Sequence, residues 1–510
     1  MRIIPALLCG AGLVTATLHG LDWPQYRGPN HDGISPETIR TNWSEQRPQQ
    51  VWRVALQSGS LAGFSTFTVS QGRAFTLIRR SIGGSDRELC LALDSDTQQE
   101  LWATDVGSGS YNSTGISGAD GPRSTPVVDG DRVYVLSAYL SLSCLDATNG
   151  GIVWSNDMRF GGGVLTWQNG AAPLIDGDLI FVNCSASANC MMAVRKTDGG
   201  EVWRRHSYRT TYGTPVAATL HGVRQVIFYT QSGLVSVVPE TGDILWRYST
   251  ADGCPYAGTA TAASPVVAGD IVYCSAGYGE GAGAVRVTKA GSTFTAAPIW
   301  RKDGELENQW STPVHYNGYL YGIYGSYSSG VLKCVDPATG DEMWSRSENI
   351  HSGGILLVGE QLLLLNEAGE LVLIAPSPAQ YTELARVDVL GGKSWNAPAV
   401  SNGRIYARST TEAVCVDVSV PIPPQPLQLS PSIVSATGPF RLHIGNEDGS
   451  PLDPGRVPGI SLLAATDLVA GTNDWTPFTN EAVLVNGVLQ VEDPESVSRP
   501  QRFFKVVEQR

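Results

Sequence analysis

Aromatic residues with polar neighbours recur just before the proline-led strands of this chain. Counting three residues back from six leading prolines gives Arg123, Gly170, Tyr212, Ala262, Trp310 and Trp395, and three of these six residues are aromatic. Further aromatic or polar side chains stand nearby: Tyr111, Asp120, Trp167, Asn169, Tyr256, His351, Lys393 and Asn396. Such groups stack on flat ligands, sugars or peptide segments. The alternative is that the rings only fill space and brace loops, because a binding pocket also needs convergent polar groups.

Motifs for metal binding, haem attachment and nucleophilic catalysis are missing from the sequence. The histidines have no metal-ligand spacing, and neither C-x-x-C-H nor G-x-S-x-G occurs. The glycine run 277–283 precedes no helical pattern, so we interpret it as a turn between strands and not as a nucleotide loop. Segments 94–96 and 446–449 lie in predicted turns and lack the further oxygen ligands that Ca²⁺ needs. We therefore predict no metal site and assign no catalytic residue.

The composition favours an all-β chain and argues against a nucleic-acid partner. The charged fraction is 16%, with 57 glycines and 13 tryptophans, which suits short strands and tight turns better than long charged helices. The net charge is −13 at pH 7, and no run of Lys and Arg exceeds two residues. Because nucleic acids bind basic patches, we expect no nucleic-acid partner and interpret the acidity as a solubility feature.

A unit of about 47 residues repeats along the chain. Its clearest copy runs from Ser124 to Trp154 and contains a proline-led apolar strand, further strands, a turn with Thr and Gly, and a final Trp. Eight units begin at the leading positions Thr66, Pro126, Pro173, Pro215, Pro265, Pro313, Gly353 and Pro398. A single unit cannot bury both of its faces, so we expect the units to be stable only in a closed ring.

The last turn and outer strand are the most specific part of the unit. Five units keep one spacing from a small residue to Trp: Ala92 to Trp102, Cys144 to Trp154, Ala193 to Trp203, Ser236 to Trp246 and Cys334 to Trp344. In four of them the seventh residue is Gly, which permits a positive φ in the hairpin. We predict that neighbouring units dock through Trp52, Trp102, Trp154, Trp203, Trp246, Trp300 and Trp344. The fifth unit has a longer turn and the seventh lacks the Trp, so we expect both to be irregular.

The first and last units are incomplete in complementary ways. After Cys415–Val418 the last unit has no outer strand, whereas residues 50–54 form an outer strand with no unit before it. We therefore predict that the strand at 50–54 completes the last unit and closes the ring.

These features resemble a known family of repeat proteins. The turn A-x-D-x-x-T-G-x-x-x-W is similar to the tryptophan-docking motif of quinoprotein-type (PQQ-like) β-propellers, which include pyrroloquinoline quinone (PQQ) dehydrogenases and BamB-like assembly factors. The segment DWPQYRGPNHDGIS (Asp22 to Ser35) resembles the start of exported bacterial PQQ-like repeat proteins. The resemblance spans residues 22–418 and implies an all-β fold, an eight-bladed β-propeller over residues 21–420.

The resemblance also implies where a ligand would bind. In such propellers the loops before the inner strands gather at one mouth of a central channel, which would bring together Tyr111, Asp120, Arg123, Trp167, Asn169, Tyr212, Tyr256, Trp310, His351, Trp395 and Asn396. Many alcohol-oxidising members hold PQQ against a disulfide of adjacent cysteines and beside a Ca²⁺. This chain has no Cys-Cys pair, and the family's Ca²⁺ ligands cannot be matched to its residues. We therefore predict no cofactor, and PQQ with Ca²⁺ belongs only to an alternative interpretation as a PQQ-dependent dehydrogenase.

The N-terminus has the pattern of an export signal. Arg2 is followed by an apolar stretch from Ile3 to Val14 and then by small residues, which predicts a cleaved signal peptide over residues 1–20. The stretch is too short to span a bilayer, and no other segment approaches that length. We expect a monomeric, extracytoplasmic protein, periplasmic or secreted. Disulfides persist there, and the spacing of Cys184 and Cys190 suits a bridge across a hairpin, with two free thiols as the alternative.

A second, smaller region follows the repeats. The proline-rich segment that begins at Pro421 predicts a stiff linker over residues 421–432. Alternating apolar stretches between 433 and 510, such as Val483–Val485 and Phe503–Val507, predict a small C-terminal β-sandwich-like module.

Intact repeat motifs beside missing cofactor machinery favour one function. We expect a non-catalytic exported scaffold that binds a protein segment or a glycan at the propeller mouth. The alternatives are a PQQ-dependent alcohol or sugar oxidoreductase and a carbohydrate-binding propeller.

Overall fold

The computed structural model describes residues 21–56, 63–111, 121–160, 162–186, 189–420, 425–433, 440–466, 475–494 and 502–508. The chain divides into two compact units between Val420 and Pro421. The described residues are almost entirely strands and turns, which confirms the all-β prediction. None of their helices is long and apolar enough to cross a membrane. The predicted signal peptide at 1–20 lies outside the described residues.

The first unit is a series of antiparallel sheets that follow one another along the chain. Two strands come from the N-terminal part, β1 (Ile34–Ser35) and β2 (Gln49–Ala55). Sheets 1 to 4 contain β3 (Thr68–Ser70), β4 (Arg73–Ile82), β5 (Ser85–Asp94) and β6 (Glu100–Ser108); β7 (Val127–Asp129), β8 (Arg132–Leu136), β9 (Ser141–Asp146) and β10 (Ile152–Asp157); β11 (Leu174–Asp176), β12 (Leu179–Asn183), β13 (Met191–Arg195) and β14 (Glu201–Arg205); and β15 (Val216–Leu220), β16 (Val223–Thr230), β17 (Gly233–Val237) and β18 (Ile244–Ser249).

The second half of this unit continues the series. Sheets 5 to 8 contain β19 (Val266–Ala268), β20 (Ile271–Ala276), β21 (Gly281–Ala290) and β22 (Thr293–Lys302); β23 (Val314–Tyr316), β24 (Tyr319–Tyr324), β25 (Val331–Val335) and β26 (Glu342–Arg346); β27 (Gly353–Val358), β28 (Gln361–Asn366), β29 (Glu370–Ile374) and β30 (Glu383–Asp388); and β31 (Ala399–Ser401), β32 (Arg404–Arg408) and β33 (Glu412–Asp417) with β2. Short 3-10 helices span Thr250–Asp252, Gly258–Ala260 and Tyr327–Ser329.

Burial explains the sequence pattern of each sheet. The middle strands are covered on both faces, so they are continuous apolar runs such as Leu362–Leu365 in β28, in which every residue is buried. The outer strands face solvent on one side and alternate, as in β26, where exposed residues flank the half-buried Trp344. The innermost strands contact their neighbours, β3 touching both β7 and β31.

Sheet 8 is built from both ends of the first unit. Strand β2 pairs antiparallel with β33, and Trp52 lies opposite Cys415. This is the pairing expected for the strand at 50–54, and it supplies the outer strand that the last repeat lacks.

Tryptophans on the outer strands connect most sheets to the next one. We give the name rim tryptophans to Trp52, Trp102, Trp154, Trp203, Trp246, Trp300 and Trp344. Six of their indole N–H groups donate to a carbonyl in the last turn of the following sheet: Trp52 to Ser95 (2.8 Å), Trp102 to Ala147 (3.2 Å), Trp154 to Lys196 (3.0 Å), Trp203 to Pro239 (2.8 Å), Trp300 to Pro337 (2.8 Å) and Trp344 to Ser377 (2.7 Å). Trp246 instead donates to Gln225 Oε1 in its own sheet, at 2.7 Å.

Two constraints require glycine in the repeated turn, one on the backbone angle and one on the space available for a side chain. Gly242 has a φ of 71°, as expected for the hairpin. In addition, the ring of Trp203 from the preceding sheet lies flat against it, and a Cβ at this position would stand 2.6 Å from the ring. Gly150, Gly199 and Gly340 meet the preceding tryptophan in the same way. The repeated Gly and Trp are therefore two halves of one contact between sheets.

The N-terminal segment, residues 22–43, crosses one end of the sheets. Trp23 pairs with Val69 in sheet 1, and Pro24 accepts from Val128 in sheet 2 at 2.7 Å. Strand β1 pairs in parallel with β27 of sheet 7. The Glu37 carboxylate accepts the backbone N–H groups of the turn after β31, in sheet 8. These contacts lie at the far ends of the inner strands, whereas the Arg27 side chain of the same segment reaches the carbonyls of Thr312 and Pro313, just before β23.

Sheets 5 and 7 are the two that were expected to be irregular. In sheet 5 the outer hairpin is extended, since β21 and β22 have ten residues each. Trp300 still reaches the next sheet through Pro337. Sheet 7 has no rim tryptophan on β30, and it gains β1 as a fifth strand.

The second unit has its own core. It contains β34 (Leu427–Ile433), β35 (Phe440–Asn446), a 3-10 helix (Pro454–Gly459), β36 (Ile460–Ala465), β37 (Thr476–Pro477), β38 (Ala482–Val485), β39 (Val488–Asp493) and β40 (Phe503–Glu508). The sheet orders are β34-β35-β39-β38 and β37-β36-β40. Apolar residues of both sheets share one cluster, including Ile444, Leu462 and Val491.

The predicted linker over 421–432 is too long. Strand β34 begins at Leu427, because Leu427 and Leu429 alternate toward the apolar cluster of the second unit and pair with β35. Cys184 and Cys190 are both buried thiols in this structure, and the bridge between them stays a prediction. The Cys184 Sγ donates to the Asn189 carbonyl at 3.2 Å.

Candidate functional site

A cavity of about 180 Å³ lies within the first unit, among the loops that precede the inner strands. All six residues counted back from the leading prolines line it: Arg123, Gly170, Tyr212, Ala262, Trp310 and Trp395. Trp167 and Asn396 of the predicted set line it too. One register of the repeat thus brings residues from six sheets to one place. That a ligand occupies this cavity stays a prediction.

Aromatic rings stack on one side of the cavity. The ring centroids of Trp310 and Trp395 are 4.8 Å apart at an interplanar angle of 31°. Phe64 stacks on Trp395 at 5.1 Å, and Tyr327 meets Trp310 edge-on at 6.0 Å. Lys393 Nζ stands 4.4 Å from the Trp395 ring centroid, a cation–π distance. The wall is therefore a continuous aromatic surface with a cation at its edge.

Two exposed tyrosines stand at the cavity in strained backbone conformations. Tyr278 in the turn after β20 has a φ of 59°, and Tyr327 in the turn after β24 has a φ of 50°. Left-handed backbone is unfavourable for bulky residues. The two rings stack at 5.9 Å, and their hydroxyls are hydrogen-bonded to each other. Strain of this kind concentrates at ligand-binding sites.

Several buried polar atoms beside the rings lack a hydrogen-bond partner among the described residues. They are Trp395 Nε1, Asn396 Oδ1 and Ser311 Oγ, and all three side chains belong to the cavity lining. The Asn396 amide nitrogen, in contrast, donates to the Ser65 carbonyl at 3.0 Å, which fixes the orientation of the amide. Unpartnered buried polar atoms are costly, so these atoms indicate a place where a ligand or water supplies the missing bonds.

The charged groups of the lining are arginines. Arg27, from the N-terminal segment, is buried and donates to the carbonyls of Thr312 at 2.8 Å and Pro313 at 2.7 Å. Arg123 donates to the Trp167 carbonyl at 2.8 Å. Among the described residues, no Asp, Glu or His lines the cavity. The site can therefore bind through stacking and neutral or cationic donors, but it has no carboxylate to act as a base or a metal ligand.

The remaining predicted residues lie elsewhere. Asn169 is buried and braces its own loop, donating to Ala171 O at 2.9 Å and Leu136 O at 3.2 Å. Tyr256 and His351 are outside the lining. Asp120 lies outside the described residues.

Tyr111 is outside the cavity lining, next to a buried acid in sheet 1. That acid is Glu88, whose Oε2 accepts the Ala138 N–H at 2.9 Å. Burial raises the pKa of Glu88 to about 7, and the nearby positive charge of Arg123 opposes the shift. Sequence patterns gave no sign of this acid, because it occupies an ordinary position in a strand.

Sequence counting also missed part of the lining. Tyr26 and Arg27 come from the N-terminal segment, whose path across the sheets has no local signal. Tyr278 lies inside the glycine run 277–283, whose first four residues form the turn between β20 and β21. An aromatic residue flanked by glycines was the available signal for that residue.

Comparison with known proteins agrees with the fold. The family described as outer membrane protein assembly factor BamB matches residues 86–322. BamB of Moranella endobia (strain PCIT) is 25% identical over 337 residues, which are 64% of this chain and 69% of that protein. The quinohemoprotein alcohol dehydrogenase of Comamonas testosteroni has a TM-score of 0.54 at 14% identity and covers 86% of this chain and 84% of its own. BamB from Moraxella catarrhalis has a TM-score of 0.49 at 14% identity and covers 72% and 99%.

The residues present do not fit PQQ with Ca²⁺. The facing rings of Trp310 and Trp395 stack on each other, so a planar quinone cannot enter between them. The described residues contain no group of three or more His, Cys, Asp or Glu that could hold a metal ion. Within the described part of the chain, the lining has no carboxylate to serve Ca²⁺, which prefers several such oxygens.

The resemblance stated from the repeat is confirmed by these matches. The family match, the BamB relative and the series of four-stranded sheets agree with each other. Over residues 86–322 the chain is similar to the BamB family of PQQ-like repeat proteins, and its series of four-stranded sheets is consistent with a β-propeller.

Proposed function

We propose that this chain is an exported, non-catalytic eight-bladed propeller that binds one ring-sized group of a protein segment or a glycan in its aromatic cavity. The main support is that one cavity contains both stacked aromatic rings and unpartnered polar atoms of Trp395, Asn396 and Ser311. Rings offer stacking surface, and the polar atoms offer direction.

The contacts between sheets support the eight-bladed ring. Rim tryptophan bonds join sheet 8 to sheet 1 through Trp52 and Ser95, and they join five further pairs of successive sheets: 1 and 2, 2 and 3, 3 and 4, 5 and 6, and 6 and 7. Innermost strands β3 and β31 touch, which joins the first sheet to the last. Each of the eight sheets then serves as one blade.

The cavity volume supports a ring-sized ligand group. An engineered apolar cavity of about 150 Å³ holds a benzene molecule. The cavity here, of about 180 Å³, has room for one aromatic side chain or one sugar ring. A larger ligand would leave most of its bulk outside, held by exposed Tyr278 and Tyr327.

The relatives support the setting. The matching family and the Moranella protein are named as outer membrane protein assembly factors, so a protein partner in the cell envelope is the corresponding proposal for this chain. The signal-like residues 1–20 support an extracytoplasmic location. We propose that the chain acts there as a monomer.

Binding arrays test this proposal. The full chain and the variants Trp310→Ala and Trp395→Ala would be applied to arrays of oligosaccharides and of peptides that contain aromatic residues. We expect selective binding to one array that each variant weakens at least tenfold. Phe160→Ala is the control, because Phe160 is an exposed aromatic outside the cavity. Binding unchanged in both cavity variants would contradict the proposal, and so would no binding to either array.

The alternative is a PQQ-dependent oxidoreductase, and the fold shared with the Comamonas dehydrogenase motivates the test. Calorimetric titration with PQQ and Ca²⁺, followed by a dye-linked assay with alcohols and sugars, discriminates the two. We expect no tight binding. Tight binding with substrate oxidation would overturn the non-catalytic proposal.

A further inference from the structure

Two cysteine thiols meet between sheets 4 and 5. Cys254 Sγ and Cys274 Sγ are 3.7 Å apart. Cys254 lies in the loop after β18, and Cys274 lies in β20; both are buried, at 4% and 0% exposure. Their cluster includes Tyr229 and Tyr248, whose hydroxyls donate to the carbonyls of Pro255 and Gly253 on either side of Cys254. The loop is thus held in place around the thiol pair.

We propose that Cys254 and Cys274 form a disulfide in the exported protein. The reaction is thiol–disulfide exchange: one thiolate attacks an oxidised partner, such as glutathione disulfide or an oxidoreductase disulfide, and the second thiolate displaces it. One S–S bond forms in the chain, one breaks in the partner, two protons leave the chain, and two electrons reduce the partner to thiols. The proposal rests on the proposed export, because disulfides persist outside the cytoplasm.

The other candidate pair has a different geometry. The Cys184 backbone N–H donates to the Cys190 carbonyl at 2.7 Å, but the Cys184 thiol donates to the Asn189 carbonyl at 3.2 Å. The structure gives no thiol–thiol contact for them. They are therefore the matched control: two buried cysteines on one hairpin, expected to stay reduced.

The bond would fix one wall of the cavity. The loop between β18 and β19 carries Cys254 and also Thr259 and Ala262, both in the cavity lining. A disulfide to β20 would tie the start of this loop to the sheet that follows it. The same sheet presents Tyr278 at the end of β20.

The burial of Cys274 determines when the disulfide can form. It raises the pKa of Cys274 well above its usual range, so the folded thiol is a poor nucleophile. The bond therefore forms while the loop is still open, during folding. Once formed, it resists reductant until the protein is unfolded.

Thiol counting tests the proposal directly. The full chain would be refolded with reduced and oxidised glutathione, which removes any dependence on export, then unfolded in guanidinium with iodoacetamide and digested without reductant. We expect a cross-linked peptide that joins Cys254 to Cys274, with Cys184 and Cys190 fully alkylated. Full alkylation of Cys254 and Cys274, or a bridge between either of them and another cysteine, would overturn the proposal. These outcomes do not depend on any ligand, so they are separate from the arrays above.

A second measurement covers variants that fold poorly. Dithiothreitol added in denaturant before refolding should lower the Tm of the wild type and of Cys184→Ala/Cys190→Ala by several degrees. Cys254→Ala/Cys274→Ala should already melt at the lower temperature and show no response to the reductant. An equal response in both double variants would contradict the proposal.

Discussion

The rim and the mouth of the propeller use the same residue type in opposite ways. At the rim, Trp203 packs on Gly242 and donates to Pro239, and the same Trp–Gly contact with an indole hydrogen bond recurs between three other pairs of sheets. At the mouth, Trp310 stacks on Trp395, whose indole nitrogen has no partner among the described residues, and no other sheet repeats the arrangement. What repeats in this chain is what holds the sheets together. What departs from the repeat marks the candidate site.

Replacing a rim tryptophan by alanine should give the largest loss of stability, much larger than the same replacement at the mouth. Trp203→Ala should lower the free energy of unfolding by about 4 kcal/mol, because it leaves a cavity between sheets and an unpaired carbonyl. Trp310→Ala should cost about 1–2 kcal/mol, since Trp310 is only half-buried. Guanidinium unfolding followed by circular dichroism measures both. Equal losses would remove the distinction between rim and mouth.

The buried carboxyl group of Glu88 should make the free energy of unfolding depend on pH. The pKa of Glu88 is raised from 4.5 to about 7 by burial, so the folded state holds a proton that the unfolded state releases. Stability due to this group is complete below pH 4.5, falls as the pH rises toward 7 and is constant above; the total loss is about 3 kcal/mol.

Glu88→Gln keeps an acceptor for Ala138 without the charge, so the unfolding free energy should no longer fall between pH 5 and 7. Glu100→Gln is the control, because Glu100 is partly exposed and its hydrogen bond to Arg80 lowers its pKa. Unfolding curves at several pH values measure the slope. A wild-type slope that survives in Glu88→Gln would assign the pH dependence to another group.

Two glycines separate backbone strain from the contact with the rim. Gly242→Ala adds a Cβ 2.6 Å from the Trp203 ring at a φ of 71°, and Gly222→Ala adds one at a φ of 76° with nothing within 4 Å. We expect losses of about 3 kcal/mol and about 1 kcal/mol, respectively, in the free energy of unfolding. The difference, about 2 kcal/mol, measures the contact alone. Equal losses would mean that the turn needs Gly only for its φ.

The smallest effect should have the opposite sign. Tyr278→Asn relieves a left-handed tyrosine, since Asn tolerates that conformation, and should raise the free energy of unfolding by about 0.5 kcal/mol. The same change should weaken ligand binding several-fold. Tyr139→Asn, at a half-buried tyrosine outside the cavity lining, is the comparison variant. A loss of stability in Tyr278→Asn would show that the left-handed conformation of Tyr278 does not destabilise the fold, so no strain would need a functional explanation.

The sequence predicts those features that recur in each repeat unit. The spacing of Trp and Gly led to the sheets, and counting back from the prolines led to Trp310 and Trp395, because one register holds in the six proline-led units. The path of Arg27 could not be predicted, since it depends on contacts with strands almost 300 residues away. The predicted end of the linker at residue 432 differs from the structure for a related reason. Leu427 forms a strand because it packs in the core of the second unit, and this packing outweighs the effect of the nearby prolines.

The closure of sheet 8 has a consequence for synthesis. The ribosome makes strand Gln49–Ala55 before any complete sheet, and its partner Glu412–Asp417 is the last strand of the ring to emerge. Throughout that interval the early strand offers unpaired backbone groups, which favour association with other chains. Loss of the last strand by premature termination would therefore leave both ends of the ring open, and such a fragment should aggregate instead of forming a smaller propeller.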